Sequence, residues 1–173
     1  MFRIRFHGRG GQGMKTASRI LGSAFFLEGY EAQDAPRYGA ERRGAPIFAY
    51  VRASRKAINE RGIIHHPDLV VVADDSLVPV PAAGVLQGLD AHTTLLINSH
   101  TAPEIWQQRL NLAASILILP ATEGVEDRAE LPMAGTACAG ASARLVGVIS
   151  HDALAEAIRT ELAVLGPQAL DEN

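Results

Sequence analysis

The sequence predicts an α/β fold with a mostly parallel sheet, helices on both faces and an antiparallel insertion at one edge. Three observations support this prediction. Short, continuous apolar runs such as "DLVVVAD" are typical of strands buried on both sides. Helical stretches separate these runs, which is the order expected of strand–helix–strand units. A glycine-rich turn follows the first strand directly and leads into a helix.

The N-terminal elements can be placed by their periodicity. Phe2 to His7 alternates and predicts a first strand, and an amphipathic pattern from about Gly13 to Gly29 predicts a first helix. The next segment, "YEAQDAPRYGAERRGAP", is too polar and too rich in Gly and Pro to be core. Ile47–Ser54 alternates again and indicates a half-exposed antiparallel strand. We therefore expect one or more antiparallel strands at an edge of the sheet.

The second half of the chain alternates between apolar runs and helical stretches. The runs Asp68–Asp74, Thr93–Asn98 and Ser115–Pro120 predict three buried parallel strands. In "MAGTACAGASARLVG" small residues recur every four positions from Gly135, so one face of this helix can approach a neighbour closely. Further helices are predicted over Ser76–Leu89, Pro103–Leu110, Ala121–Arg128 and Asp152–Leu165, the last with Ser150 or Asp152 as its N-cap.

Length and composition exclude several classes of protein. The 173 residues predict a single domain over 1–173. No apolar run approaches the roughly 18 residues of a membrane span, and the strand pattern begins at once, so we expect a cytoplasmic protein without a signal peptide. The one cysteine, Cys138, cannot form an internal disulfide or hold a cluster or zinc by itself. His65 and His66 point to opposite faces of an extended segment, so no metal site is predicted.

Charge is divided unevenly along the chain. Residues 1–61 hold 12 of the 16 Lys and Arg and 5 of the 19 acidic residues, a net charge of +7, and the remainder carries −10. Such a division is typical of a protein with an oriented contact surface. It is also compatible with two solvated faces, and it does not by itself predict a nucleic-acid partner.

The glycine-rich turn matches the dinucleotide-binding pattern at Gly8, Gly10 and Gly13. That pattern also requires an acidic residue about 20 positions on, at the end of a second strand, to hold a ribose. Glu28, Glu31 and Asp34 are near enough in number, but "GYEAQDAP" is a poor strand. A Walker-type site is not favoured, because Met14 separates Gly13 from Lys15. Nucleotide binding and a purely structural turn both stay open at this point.

Two segments together are more specific than either alone. "RFHGRGGQG" followed by "AQDAPRYGAERRGAPIFAYVR" resembles the gamma subunit, or gamma domain, of the 2-oxoacid:acceptor oxidoreductases, the pyruvate:ferredoxin type. The resemblance continues through "HPDLVVVADDSL" and "AGTACAGASARLVG" and covers most of the chain. It implies a Rossmann-like α/β domain that packs against other subunits and helps to close their active-site region.

The resemblance also implies partners and cofactors. In this family alpha and beta subunits hold thiamine diphosphate with a divalent metal, and a ferredoxin-like (delta) subunit carries [4Fe–4S] clusters. The reaction oxidatively decarboxylates a 2-oxoacid to an acyl-CoA, with ferredoxin, or NAD through a further flavin subunit, as acceptor. This chain has no thiamine diphosphate signature, no cysteine cluster and no nucleophile-plus-base arrangement. We therefore expect it to hold no cofactor alone, to supply no catalytic residue and to be inert in isolation.

Candidate site residues fall into two groups. A loop on the side of substrate or CoA is predicted at Arg9, Gly10, Gly11, Gln12 and Gly13, and a subunit interface at Tyr38, Glu41, Arg42, Arg43 and Gly44. Arginine forks suit carboxylate or phosphate, although Glu41 could instead pair with one arginine while the other packs against a neighbouring chain. Gln12 could meet a ligand or the loop backbone, and His7 could reach the loop or simply pack. The alternative function is a free-standing protein that binds NAD or FAD.

Overall fold

The computed structural model describes residues 1–37, 45–121 and 134–163. Within them the chain forms six strands, two short 3-10 turns and four helices. In chain order these are β1 (Phe2–Arg9), α1 (Met14–Leu27), β2 (Glu31–Arg37), β3 (Pro46–Ser54), β4 (Leu69–Val72), the turns Asp75–Leu77 and Pro81–Ala83, β5 (Thr94–Asn98), α2 (Pro103–Leu110), β6 (Ser115–Leu119), α3 (Gly135–Val146) and α4 (His151–Ala163).

The six strands form one mixed sheet in the order β2-β3-β1-β4-β5-β6. Strands β1, β4, β5 and β6 run parallel to one another, whereas β3 lies antiparallel between β1 and β2. The register places Phe6 opposite Ala49 of β3 on one side and opposite Val71 of β4 on the other. The predicted mostly parallel sheet with an antiparallel edge is confirmed.

Each face of the sheet carries its own apolar layer. Helices α1, α3 and α4 cover the face of Phe6 and Val71, where the core also contains Phe25 and Cys138. On the opposite face α2 and the two 3-10 turns cover the second side of the parallel strands, with Trp106 among the buried residues of that layer. Helices therefore lie on both faces, as the sequence predicts.

Two predictions for the antiparallel edge need correction. The segment after Gly29 was expected to be a poor strand, yet β2 pairs with β3 along its whole length, from Glu31 opposite Ser54 to Arg37 opposite Phe48. An edge strand tolerates polar residues and a proline because one of its sides makes no ladder hydrogen bonds. Strand β3 is not half-exposed, since both Val51 and Arg52 are buried.

The predicted helix Ser76–Leu89 is wrong. Two 3-10 turns of three residues each stand in its place, the second beginning with Pro81. Proline disfavours the helical conformation in the residue before it and removes a backbone donor, and this segment holds both Pro79 and Pro81. Prolines therefore override the apolar content that suggested a helix.

The other helices follow the predictions more closely. Helix α2 spans the predicted Pro103–Leu110, and α4 begins at His151, where the Ser150 hydroxyl accepts a hydrogen bond from the Ala153 amide at 3.2 Å. The predicted close approach of the small-residue helix is confirmed at Gly135. A Cβ there would lie 2.6 Å from the carbonyl oxygen of Gly13. Most of the predicted helix Ala121–Arg128 lies outside the described residues.

Candidate functional site at the carboxyl edge of the sheet

The chain leaves β1 and β4 in opposite directions. After β1 it builds α1 and the antiparallel pair on one side, and after β4 it builds β5 and β6 on the other. Connections that diverge from two neighbouring parallel strands leave a crevice beyond their carboxyl ends, where open α/β sheets bind ligands. The glycine loop (residues 9–13) and the Asp74–Ser76 segment border this crevice.

The glycine loop is held in place by its own backbone and by Gln12. The Gln12 side-chain oxygen accepts a hydrogen bond from the Arg9 amide at 2.8 Å, and the Gln12 amide donates to the Arg9 carbonyl at 3.1 Å. Gly13 ends the loop in the left-handed region, with φ 78°, and precedes the first turn of α1. Of the two alternatives for Gln12, the structure places its oxygen on the loop backbone.

An ion pair ties this loop to the end of β4. The Arg9 Nε lies 2.7 Å from Asp74 Oδ2, and its Nη2 donates to the Ser76 hydroxyl at 2.9 Å. Burial alone would raise the pKa of Asp74, but hydrogen bonds from Ser76 and the Arg9 guanidinium outweigh it and lower the pKa. Asp74 therefore stays ionised and keeps Arg9 directed across the crevice rather than out into solvent.

Polar residues at the ends of the next strands extend the same edge. The Asn98 side chain donates to the Ala73 carbonyl and accepts from the Ala121 amide, each at 3.0 Å. The Ser99 hydroxyl donates to Asp75 at 2.7 Å. These residues were not among the predicted site residues, although polar side chains directly after buried strands are a recognisable signal in "VVADDS" and "LLINS".

The flanks of both undescribed internal segments reach this edge. The Ala45 carbonyl accepts a hydrogen bond from the Gly10 amide at 3.0 Å, and Pro46 lies opposite Arg9 in the β1–β3 ladder. Ala121 is held by Asn98, and α3 begins against Gly13. The predicted interface residues Tyr38, Glu41, Arg42, Arg43 and Gly44 lie outside the described residues. Their segment joins the end of β2 to the start of β3, and the start of β3 borders the glycine loop.

His7 lies beneath the loop and does not open into it. Its Nδ1 is 3.1 Å from the Ala83 carbonyl oxygen, its ring meets Phe48 edge-on, and the side chain is buried. Burial first, and the nearby Arg5 charge second, lower the pKa of His7 to about 3. His7 is therefore a neutral, packed strand residue.

The geometry does not favour a dinucleotide site. A ribose-binding acid would have to end a strand that neighbours β1. Here β3 separates β2 from β1, and the Cβ of Asp34 lies beside Gly22 in the middle of α1, 3.5 Å from where a Cβ on that glycine would be. Asp74, which follows the neighbouring strand β4, is already paired with Arg9.

Neither a metal-binding cluster nor a membrane-spanning helix occurs in the part of the chain that the structure describes. Residues 1–37, 45–121 and 134–163 contain no group of three or more His, Cys, Asp or Glu side chains placed to bind a metal ion. No helix in these ranges has the length and apolar character needed to cross a membrane. Cys138 is buried, and burial raises the pKa of its thiol to about 12.

Comparison with known proteins defines the class. The family model for pyruvate ferredoxin/flavodoxin oxidoreductase matches residues 3–173. The common gamma subunit of the pyruvate/ketoisovalerate oxidoreductases of Pyrococcus furiosus is 39% identical over 160 residues, which are 92% of this chain and 85% of that protein. The chain belongs to the pyruvate ferredoxin/flavodoxin oxidoreductase family.

Within that family the chain is a gamma-type, or PorC-type, subunit. The crystal structure of the pyruvate oxidoreductase subunit PORC from Thermotoga maritima is 30% identical, with a TM-score of 0.77 over 99% of this chain and 89% of that one. A 2-oxoglutarate:ferredoxin oxidoreductase from Magnetococcus marinus, with 2-oxoglutarate, coenzyme A and succinyl-CoA bound, shares the fold. Its TM-score is 0.74 at 17% identity, over 98% of this chain and 28% of that longer one. The resemblance stated from the sequence is thereby confirmed.

Proposed function

We propose that this gamma-type chain assembles with alpha, beta and ferredoxin-like (delta) subunits into a cytoplasmic enzyme that oxidatively decarboxylates a 2-oxoacid to an acyl-CoA. The carboxyl edge of its sheet faces those partners near the entry of oxoacid and CoA. The observation that carries the proposal is the Arg9–Asp74 ion pair, which ties the glycine loop to the end of β4, while the same loop is hydrogen-bonded to Ala45, the residue that directly follows the arginine-rich segment 38–44.

In this function, the glycine loop positions the surface and the arginines of segment 38–44 bind the anionic substrates. Arg9 already uses its Nε and Nη2 within the chain, and the Gln12 oxygen is engaged by the loop backbone. The loop therefore acts as a preorganised surface, with Arg9 and Gln12 as positioning residues. The guanidinium groups of Arg42 and Arg43 are the groups that we assign to oxoacid carboxylate or CoA phosphate, because forked donors suit such anions.

The partner subunits hold the reactive groups in this proposal. Thiamine diphosphate, held there with a divalent metal, would supply the decarboxylation chemistry, and [4Fe–4S] clusters would supply one-electron transfer to ferredoxin, or to NAD through a flavin subunit. This chain shapes the channel, excludes water at the contact and orients anionic substrates. We expect no turnover from the isolated chain. The ligands bound to the Magnetococcus enzyme belong to the same chemical classes.

Purification of the intact complex tests the assembly. The chain, tagged in its native host and purified under nitrogen, should bring larger chains with it at fixed ratio. The eluate should show broad brown absorbance that bleaches when an oxoacid and CoA are added, and the oxoacid that bleaches it identifies the substrate. A colourless chain that elutes alone would contradict the proposal. Saturable binding of NAD or FAD to that chain would favour the dinucleotide alternative.

Substitution in the assembled enzyme tests the arginine assignment. Arg42→Ala and Arg43→Ala should raise KM for the oxoacid or for CoA about tenfold or more each, the equivalent of roughly 1.4 kcal/mol of lost binding, while kcat changes less. Arg19→Ala is the matched control, because Arg19 is an exposed arginine on α1. Unchanged KM values together with unchanged assembly would overturn the assignment.

A further inference from the structure

A groove lies between α1, α4 and the edge strand β2, away from the carboxyl edge of the sheet. Phe26 and Leu27 of α1, Asp34 of β2 and Glu156 of α4 are among its lining residues, and its volume is about 370 Å³. Gly22 in the middle of α1 also lines it. The groove has the size of a site for one or two large side chains.

The groove exposes the largest apolar surface of α1. The side chains of Phe26 and Leu27 are 70% and 50% exposed, the two highest values for large apolar residues in the part of the chain that the structure describes. They are adjacent in sequence and line the same groove. Single exposed apolar residues are common, but neighbouring ones beside a groove mark interaction sites more often. An aromatic residue in such a place is suited to anchoring a partner.

The charged side chains that line the groove are acidic. The side chain of Asp34 makes no hydrogen bond or ion pair with any residue that the structure describes, and Glu156 is paired with Arg159 on its own helix. A carboxylate that has no partner among the described residues and lies beside exposed apolar surface suits a basic group of a binding partner, because opposite charges steer and orient association. The occupant should therefore present Lys or Arg next to a large apolar side chain.

The edge strand limits how the occupant can run. Strand β2 is terminal in the described sheet, so its outer backbone groups are available for a further strand. Pro36 has no N–H to donate, which blunts the C-terminal half of this edge. Ala32 and Asp34 border the groove and precede this proline in the strand. A short extended segment beside these two residues fits this geometry better than a long strand.

We propose that this groove receives a short extended segment of a partner subunit of the same oxidoreductase. Its apolar side chain packs on Phe26 and Leu27, and its Lys or Arg pairs with Asp34. The inference rests on the proposed function, since it requires partner subunits. A second copy of this chain fits less well. Antiparallel pairing of two β2 strands about their middle residue would place Asp34 opposite Asp34, and like charges directly opposite are destabilising.

The purified complex provides the test. A photoreactive p-benzoylphenylalanine placed at position 26 should crosslink to an extended segment of another subunit, identified by mass spectrometry. The same group at position 105 should not give that adduct, because Ile105 is exposed on α2, and α2 packs on the opposite face of the sheet. An adduct only to a second copy of this chain would overturn the proposal. So would the absence of any adduct in a complex whose subunits co-purify.

Substitutions give an independent measure. Phe26→Ser and Asp34→Lys should each weaken retention of the partner subunits at least tenfold, with the Asp34 effect decreasing at high salt. The matched controls Ile105→Ser and Glu104→Lys, both exposed on α2, should retain them. Unchanged retention in both groove variants would contradict the inference while the proposed function stands. Failure of the unaltered chain to bring any subunits with it would contradict both.

Discussion

The two faces of β1 are buried by different means. On one face Ile4 and Phe6 are fully buried against the apolar side of α1 and its neighbouring helices. On the other face Arg5 and His7 are also buried, but irregular backbone surrounds them. One face of β1 thus packs against apolar side chains, and the other face contacts polar backbone groups. The two faces differ in whether the elements packed on them have free hydrogen-bond acceptors.

The buried polar side chains of this face need backbone carbonyl oxygens as hydrogen-bond acceptors, and regular helices and strands already use theirs. Arg5 donates to the carbonyls of Ile64 and Val85 at 3.4 and 2.9 Å, and His7 lies against the carbonyl of Ala83. On β3, Arg52 donates to the Gly62 carbonyl at 2.9 Å. Helices and strands use their carbonyls internally, whereas loops and short turns leave them available. Irregular cover is therefore the means by which this face buries cations.

The apolar face should give the largest stability effect. Phe6→Ala should lower the free energy of unfolding by about 3–5 kcal/mol, because it removes a fully buried ring from a packed layer and leaves a cavity. Chemical denaturation of the isolated chain measures this directly. Phe26→Ala is the matched control, since that ring is 70% exposed and its loss should change stability by less than about 0.5 kcal/mol. Equal losses in the two variants would contradict the assignment of the core.

The same contrast explains what could be predicted from the sequence. Alternation and continuous apolar runs identified β1, β3 and the parallel strands, because burial against helices leaves a periodic record. The pattern between Ser76 and Leu89 gave a helix instead of two turns, since the prolines and the need for inward carbonyls at Ala83 and Val85 do not appear in periodicity. Strand β2 was undervalued because its partner β3 supplies the pairing that its composition does not suggest.

The candidate site could be predicted only in part. The glycine loop was recognisable from its spacing, and its place between β1 and α1 is as expected. The ion pair between Arg9 and Asp74 could not be predicted, because 65 residues separate the two and only the order of strands in the sheet brings them together. Roles for Arg42 and Arg43 stay predictions.

The second largest effect on stability is expected at Arg5, on the polar face of β1. Arg5→Met should destabilise the chain by about 1–3 kcal/mol, because two buried carbonyls lose their donor. Removal of a desolvated cation offsets part of that loss, since burial already lowers the pKa of Arg5. Hydrogen exchange should show lower protection near Ile64 and Val85. Arg19→Met, at an exposed position, serves as the control, and a similar small change in both variants would refute the role given to Arg5.

The buried imidazole should make the stability depend on pH. The pKa of His7 is about 3 in the folded chain against an ordinary value of 6.5, so between these values the unfolded chain binds a proton that the folded chain excludes. The contribution of His7 to the free energy of unfolding is therefore fully present above pH 6.5. It falls as the pH drops, by up to about 1.4 kcal/mol per pH unit.

The slope, rather than the absolute stability, identifies this contribution. Between pH 6.5 and 5, where few carboxylates titrate, His7→Gln should lose about 1–2 kcal/mol less stability than the unaltered chain. Denaturant titrations at several pH values measure both slopes. Parallel slopes in the two proteins would mean that the folded chain takes up the proton as readily as the unfolded chain, contrary to the burial of the imidazole beside Arg5.

The smallest effect on stability is expected in α1, which packs on the apolar face, and this substitution should stabilise the chain. Gly22 lies inside α1, and a Cβ there would meet only the Cβ of Asp34, at an ordinary contact distance of 3.5 Å. Gly22→Ala should therefore stabilise the chain by about 0.5–1 kcal/mol, through the better helix propensity of alanine.

The same substitution in α3 should have the opposite sign. Gly135→Ala would place a Cβ 2.6 Å from the Gly13 carbonyl oxygen, so α3 or the glycine loop must shift. Thermal or denaturant unfolding of the two variants beside the unaltered chain gives both signs in one experiment. If Gly22→Ala also destabilised the chain, α1 and β2 would have to lie closer together than the 3.5 Å contact allows, and the groove beside Asp34 would be narrower than described.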